Sequence, residues 1–498
     1  MMNGHEKSDH PIVPKKGPNN AGRPAAEGLE ERGWTKGNSG QRDARRTTEP
    51  EFRVPNELAR IRHAARRARK AKFTALLHHV SVDRLREAYR QLKPKAAPGV
   101  DALTWKEYGQ TLEERLQDLH GRIHRGSYRA KPSRRVYIPK ADGTKRPLGI
   151  AAVEDKVLQR AVAQVLNAIY EEDFLGFSYG FRPGRSQHQA LDALAVGIKY
   201  RKVNWVLDTD IRGFFDAIDH EWLIRFVEHR IGDRRVVRLI RKWLKAGVLE
   251  GGKKLVQEKG TPQGATISPL LANLYLHYVF DFWAHHWRQT KAKGDVVIAR
   301  YADDIVMGFE NRGEAMRFQK ELGNRFRKFN LELHPEKTRL IQFGRFAAER
   351  RKERGQGKPE TFDFLGMTHV CGKTKQGGFQ IIRHTQKRRM RAKLKDIKEK
   401  LRRRMHLPIP AQGIWLRSVI TGYFNYHAVP SNGMALSSFR KEVARLWKHS
   451  LRRRSQRDKT NWERMARLVK KWLPHTRIRH PWPEERFVVM TRGRSPVR

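Results

Sequence analysis

In 498 residues the chain has one cysteine, Cys371. That excludes an internal disulfide and any zinc site built on paired thiolates, and it fits a reducing compartment. Acids are scarce too: 52 Asp and Glu stand against 104 Lys and Arg. Hydrophobic residues make up only 38%, although the length still suffices for two or three domains with their own cores. No run of eighteen apolar residues occurs, so no transmembrane helix is expected. The opening residues, MMNGHEKSDH, lack the apolar centre of a signal peptide, and no secretory address is expected.

The charge is what remains, a formal +52. A protein so positive repels itself unless a polyanion neutralises it. The basic residues run through folded-looking segments as well as the ends, which points to a long nucleic acid as partner. Composition alone does not separate packaging from catalysis.

Residues 1–55 are rich in Pro, Gly, Asn, Glu and Arg with few clustered apolar residues, the pattern of a disordered tail. A basic helix is expected from roughly Asn56 to Gln91, and Ala97-Pro98-Gly99-Val100-Asp101 ends the pattern with turn residues. From Val136, short β-like runs (RRVYIP, NWVLDTDI, DVVIARY, DIVMGF) alternate with helical stretches. This predicts an α+β domain with an antiparallel sheet. Strand signals stop near residue 385, and segment 385–404 holds eleven Lys or Arg in twenty residues. The expected division is residues 56–380, a helical basic domain over 381–480, and a flexible basic tail over 481–498.

The sharpest motif is Tyr301-Ala302-Asp303-Asp304, set between VVIAR and IVMGF. Two apolar runs around an acidic turn read as a hairpin with two carboxylates at its tip. On these four residues alone, a polar turn with solvated aspartates is the better account, because an Asp-Asp turn is common. A second acidic strand end lies at Trp205–Ile211, where alternation sets Val206, Asp208 and Asp210 on one face. Asp210 could there meet the hairpin tip. Asp216 and Asp219 read as caps of the helix that starts near His220. Three converging carboxylates can hold two magnesium ions ~4 Å apart, clamping the attacking and leaving oxygens of a phosphoryl transfer.

The ordered blocks APGVD (97–101), YIPKADGTKRPLGI (137–150), SYGFRPGRSQHQAL (178–191), DIRGFFDAIDH (210–220), GTPQGATISPLLANLYL (260–276), YADD (301–304), LHPEKTR (333–339) and FLG (364–366) resemble those of group II intron reverse transcriptases. They span about 270 residues, and eight blocks in one register are far more specific than any one. The resemblance implies a right-hand polymerase, fingers and palm with an antiparallel sheet, followed by an all-helical thumb or maturase domain. It implies Asp210, Ile211, Asp303 and Asp304 as ligands of two Mg2+ ions, with Asp210, Asp303 and Asp304 catalytic. Lys140, Arg146, Ile211, Phe215 and Gln263 would surround the incoming deoxynucleoside triphosphate. Lys140 and Arg146 would grip its phosphates, Phe215 would press on C2′ of the sugar, and Gly264 would permit close backbone approach. Phe214, Asn273 and Tyr275 are expected to pack in the core.

The segment GIWLRSVITGYFNYHAVPSN (413–432) resembles the maturase domain of the same family. Trp415, Val419 and Tyr423 form one stripe, and Leu416, Ile420 and Phe424 a second, both facing a core. The later mixture of aromatic and basic residues suits RNA contact. No endonuclease domain with paired cysteines is expected. Implied partners are group II intron RNA, a DNA target and primer, and deoxynucleoside triphosphates, with no membrane; a homodimer stays open. The expected location is cytoplasmic, in a nucleoid-associated ribonucleoprotein. Two other readings remain at this point: a maturase with an idle polymerase site, and another bacterial reverse transcriptase of retron or defence-associated type.

Overall fold

A computed structural model describes residues 56–139, 145–255, 258–455 and 460–486. The tail expected over 1–55 and most of that expected over 481–498 lie outside the described residues. The first helix, Asn56–Arg67, buries Leu58, Ile61 and Ala65, a spacing that keeps all three on one face. The single helix expected as far as Gln91 does not form. A 3₁₀ turn, Leu77–His79, and a helix, Val82–Arg90, follow separately. Tertiary hydrogen bonds override local propensity between them. Phe73 pairs with Ile231, and the amides of Leu76 and Leu77 donate to Asp233 at 2.8 and 3.0 Å.

Eleven strands form three sheets among the described residues. Strands β1 (Ser133–Pro139), β2 (Lys145–Ile150), β4 (Val248–Glu250) and β5 (Lys253–Leu255) make the first. Its order is β2-β1-β4-β5, with β1 and β4 parallel. The second contains β3 (Trp205–Thr209), β6 (Val296–Tyr301), β7 (Asp304–Phe309) and β8 (Arg339–Gln342) in the order β6-β7-β3-β8. All its neighbours are antiparallel. The third is β11-β10-β9, from β9 (Phe362–Phe364), β10 (Met367–Lys373) and β11 (Phe379–Thr385).

The second sheet is covered on both faces, which explains its nearly continuous apolar strands. Leu207, Ile298, Ile305 and Met307 enter a core shared with the N-terminal helices. Val206, Ala299, Val306 and Ile341 enter another, shared with the helix Gln187–Tyr200 and the third sheet. Only the strand ends remain for polar side chains.

Four helices follow the third sheet: Lys387–Arg403, Ile409–His427, Gly433–Arg452 and Trp462–Trp472. Their core is separate and contains Leu416, Ile420, Phe424 and Trp447. Trp415 and Val419 pack at its edge. Past the last helix the chain returns to the helix Gln187–Tyr200 rather than trailing as a flexible tail. Glu484 pairs with Lys199 at 2.5 Å, and Arg486 pairs with Asp192 at 3.0 Å. His480 stacks on His188 at 3.9 Å. No helix among the described residues is long and apolar enough to cross a membrane.

Candidate active site

Strands β6 and β7 pair from Val296–Phe309 to Tyr301–Asp304. Ala302 and Asp303 alone make the connecting turn, and Ala302 takes φ 57°, a conformation that a side chain disfavours. Packing imposes it. The Arg300 guanidinium donates to the Ala302 carbonyl at 3.1 Å. A β-carbon on Gly180 would lie 2.2 Å from the Ala302 nitrogen, so another backbone segment lies directly against the turn.

Arg300 is fully buried. It donates to both carboxylate oxygens of Asp281 at 2.6 and 2.5 Å, to Asn273 at 3.1 Å and to Ser178 at 2.6 Å. Burying an ion pair is costly unless its remaining hydrogen-bonding groups are satisfied, and here the guanidinium is saturated. Asp281 closes a π-helical turn, His277–Asp281, an irregularity often found at functional sites. Asn273 was expected only to pack in its helix. Its buried side chain instead bridges Arg300 and the Gly180 carbonyl, the latter at 2.5 Å. Tyr275 is buried and bonds the Phe329 carbonyl at 2.7 Å.

The acidic groups converge around this turn. Asp304 is surface-exposed but enclosed by protein on several sides. Burial pushes its carboxyl up to about 7, assisted by the charges of Asp303 and Asp210. Asp303 is also raised, chiefly by burial and then by Asp210, while Arg146 and Arg300 oppose the shift. Asp210 follows β3, and its Oδ2 lies 2.9 Å from Lys337 Nζ, in the LHPEKTR block. Its carbonyl accepts from the His334 amide at 2.8 Å. Asp208, one strand position inward, is pushed up to about 6 by burial, with Arg339 opposing at 3.7 Å. Asp219 caps the helix His220–Arg230 as expected, whereas Asp216 lies within the short helix Phe214–Ala217.

Among the described residues, no three acidic, imidazole or thiol side chains stand close enough to form a ready-made metal cage. The donor chemistry nevertheless suits a hard divalent cation. Both adjacent carboxylates are raised, first by burial and then by neighbouring acids, Asp210 for Asp303 and Asp303 with Asp210 for Asp304, and Asp210 already holds a cationic ammonium.

The nucleotide-side candidates lie on two segments locked together through backbone. Arg146 projects from β2 and is exposed; Lys140 lies outside the described residues. The Gly149 amide donates to the Gln263 carbonyl at 2.7 Å. A β-carbon on Gly264, at φ 109°, would come within 2.8 Å of the Gly149 carbonyl. Gln263 itself is half-buried. The same loop fixes Phe215, whose carbonyl accepts from the Thr261 amide at 2.8 Å. Phe214 is buried and Phe215 half-buried. Ile211 is buried beside Leu333, so only its main-chain carbonyl is of a type that could meet a cation or a nucleotide.

The Arg300–Asp281 clamp and Lys337 were not foreseen from sequence. The available signal was Arg300 itself, a charge inside the apolar run VVIAR two residues before the acidic turn.

Residues 138–369 match the family described as reverse transcriptase (RNA-dependent DNA polymerase). Protein YkfC of Escherichia coli is 35% identical over 275 residues, 49% of this chain and 72% of that protein. The group II intron-encoded protein LtrA of Lactococcus lactis is 43% identical over 171 residues. The chain belongs to the group II intron reverse transcriptase and maturase family. The LtrA alignment takes in 34% of this chain and 28% of LtrA, so the chain spans under a third of that relative. An uncharacterised 91 kDa protein in the cob intron of Schizosaccharomyces pombe is 41% identical over 172 residues, 34% of this chain and 21% of that protein. Reverse transcriptases generally use divalent metal ions, which accords with the acidic turn.

Proposed function

We propose that the chain is an RNA-directed DNA polymerase that copies its group II intron RNA into cDNA during retrohoming. As a maturase it also binds that RNA and assists its splicing. The observation that carries the reading is the hairpin turn. It presents Asp303 and Asp304 beside Asp210, and a fully buried arginine holds it in a disfavoured backbone conformation. A turn serving only as a solvated connection needs no such support.

In this reading β1 and β2 belong to the fingers, the second sheet to the palm, and the four C-terminal helices to the thumb. The two domains would divide at the start of the helix Lys387–Arg403, because the expected boundary at 380 falls inside β11. Asp210, Asp303 and Asp304, with the Ile211 carbonyl, would hold two Mg2+ ions. Such ions, when bound, lower the pKa of a primer 3′-hydroxyl and neutralise triphosphate charge. The chain's own residues orient the reactants. Arg146 and Lys140 bind the triphosphate, Gln263 lies beside the nucleotide, and Phe215 blocks a 2′-hydroxyl. Asp210, now paired with Lys337, would hold a cation in place of that ammonium. Partners would be intron RNA, a DNA target and primer, and deoxynucleoside triphosphates; the location would be a cytoplasmic, nucleoid-associated ribonucleoprotein.

The test is extension of a DNA primer on an RNA template in Mg2+. Asp303→Ala and Asp210→Ala should each abolish extension while intron RNA affinity and splicing assistance persist. Normal extension by either variant would overturn the reading.

A further inference from the structure

The helix Lys387–Arg403 starts directly after β11, and Arg389 lies in its first turn. It is exposed, and among the described residues it makes no hydrogen bond or ion pair. Its guanidinium passes over the Phe364-Leu365-Gly366 turn. Leu365 and Gly366 adopt φ 49° and 78°, and a β-carbon on Gly366 would meet Arg389 Nη1 at 2.7 Å. The bare glycine therefore leaves the lane that the guanidinium occupies. Tyr426 braces the turn from the other side, donating to the Leu365 carbonyl at 2.5 Å.

Leu365 lies in one buried cluster with Ala299 and Val306 of the hairpin strands, and Tyr301 and Tyr426 pack against it, so this turn adjoins the acidic hairpin. Arg146, from the first sheet, is the foremost cationic side chain acting on Asp303. Arg389, from the C-terminal helices, is the foremost on Asp304. Other arginines near the hairpin are committed: Arg300 to Asp281, Arg383 to Asp192 and Arg182 to Glu171. An uncommitted guanidinium at the edge of an acidic site is suited to a phosphate, which it can grip with two parallel donors. The triphosphate belongs to the Arg146 side. The remaining phosphate near the reacting hydroxyl is the last linkage of the primer, one sugar back from its 3′ end.

The geometry points to Arg389 as a primer-positioning residue, its guanidinium reaching across the Gly366 turn to the final phosphodiester of the primer strand. This rests on the polymerase reading above and deepens it. It adds a specific charge contact that sets where the 3′-hydroxyl stops relative to Asp304.

The test is a chemical double-mutant cycle. Extension on an RNA template is measured with DNA primers whose last linkage is either native or an uncharged methylphosphonate, using the full chain, Arg389→Gln and Arg389→Lys. Loss of the linkage charge should cost the unaltered chain roughly tenfold in kcat/KM for primer, the scale of one charge-assisted hydrogen bond. Arg389→Gln should lose less than about twofold on the same change, and Arg389→Lys an intermediate factor. KM for the deoxynucleotide should stay constant throughout. Each penalty is a ratio within one variant, so a partly folded preparation does not distort it. An equal penalty in Arg389→Gln and the unaltered chain, or an effect confined to deoxynucleotide KM, overturns the assignment. Asp303→Ala is the control for the underlying reading: normal extension there defeats the polymerase assignment itself. An inactive Asp303→Ala with equal penalties defeats only the role of Arg389.

Discussion

Phe215 sits edge-on to Phe214 with ring centroids 5.5 Å apart, and its carbonyl is tied to Thr261. Trimming it to Val should leave the backbone in place and open space where a ribose hydroxyl would fall. Ribonucleotide use relative to deoxyribonucleotide should rise about ten- to hundredfold, the range for one small group in a binding pocket, read as a ratio of kcat/KM values. Unchanged selectivity would assign Phe215 to the core. Asp304 gives a pH dependence. Its carboxyl is pushed up to about 7 by burial first and by Asp303 and Asp210 next, so protons compete for it near neutrality. The Mg2+ needed for half-maximal extension should rise as pH falls from 8 to 6, by about tenfold per unit once the group is protonated. For stability the sign is opposite. The folded state holds this proton more tightly than the unfolded chain, so metal-free protein should gain stability as pH drops from about 7 toward the ordinary carboxylate range. The acids and Arg146 were legible because they interrupt apolar strands or flank a turn. Arg300 was not, since its partners lie 19 and 122 residues away, and no local pattern encodes such a meeting.

The YADD hairpin behaves as a rigid bracket because three other segments hold it. Gly180→Ala places a methyl 2.2 Å from the Ala302 nitrogen, with backbone on both sides of the clash. The turn must shift, and displacement by about 1 Å can cost on the order of a hundredfold in rate; primer extension should fall by that factor while RNA affinity holds. Arg300→Met leaves the buried Asp281 without its guanidinium and with only His277, 3.7 Å away, beside it, at a cost of about 3–5 kcal/mol measurable by denaturant unfolding. Adding Asp281→Leu should recover most of that stability without restoring extension, because the donor to the Ala302 carbonyl is still missing. Elements with strong apolar alternation were readable from sequence: β3, β6 and β7 appear where the runs predicted them. The region 56–91 was misread as one helix because Leu58, Ile61, Leu76 and Val80 all fall on one helical face. What breaks it is a distant carboxylate, Asp233, capturing two amides.

Across the whole molecule, the charge of +52 makes binding to nucleic acid salt-dependent. With six or more phosphates neutralised, RNA affinity should drop ~1,000-fold between low and moderate salt. Arg391, Lys395, Lys398 and Arg402 are exposed along the helix Lys387–Arg403, whereas Lys393 and Lys400 are paired with Asp396. Replacing those four with Gln should lower the slope of log affinity against log salt by about 3; an unchanged slope would place that face away from RNA. Composition announced this electrostatics in full but said nothing of how the C-terminal helices are mounted, because their anchors are single residues in a segment that reads as a loose tail. One end of the unit continues from β11, and the other is fastened through Glu484 and Arg486 to the helix Gln187–Tyr200. Mechanically it is a beam clamped at both ends rather than a cantilever. Such a part resists swinging, so the loss of either ion pair, Glu484 with Lys199 or Arg486 with Asp192, frees one end of the helical unit while the other stays fixed to the third sheet.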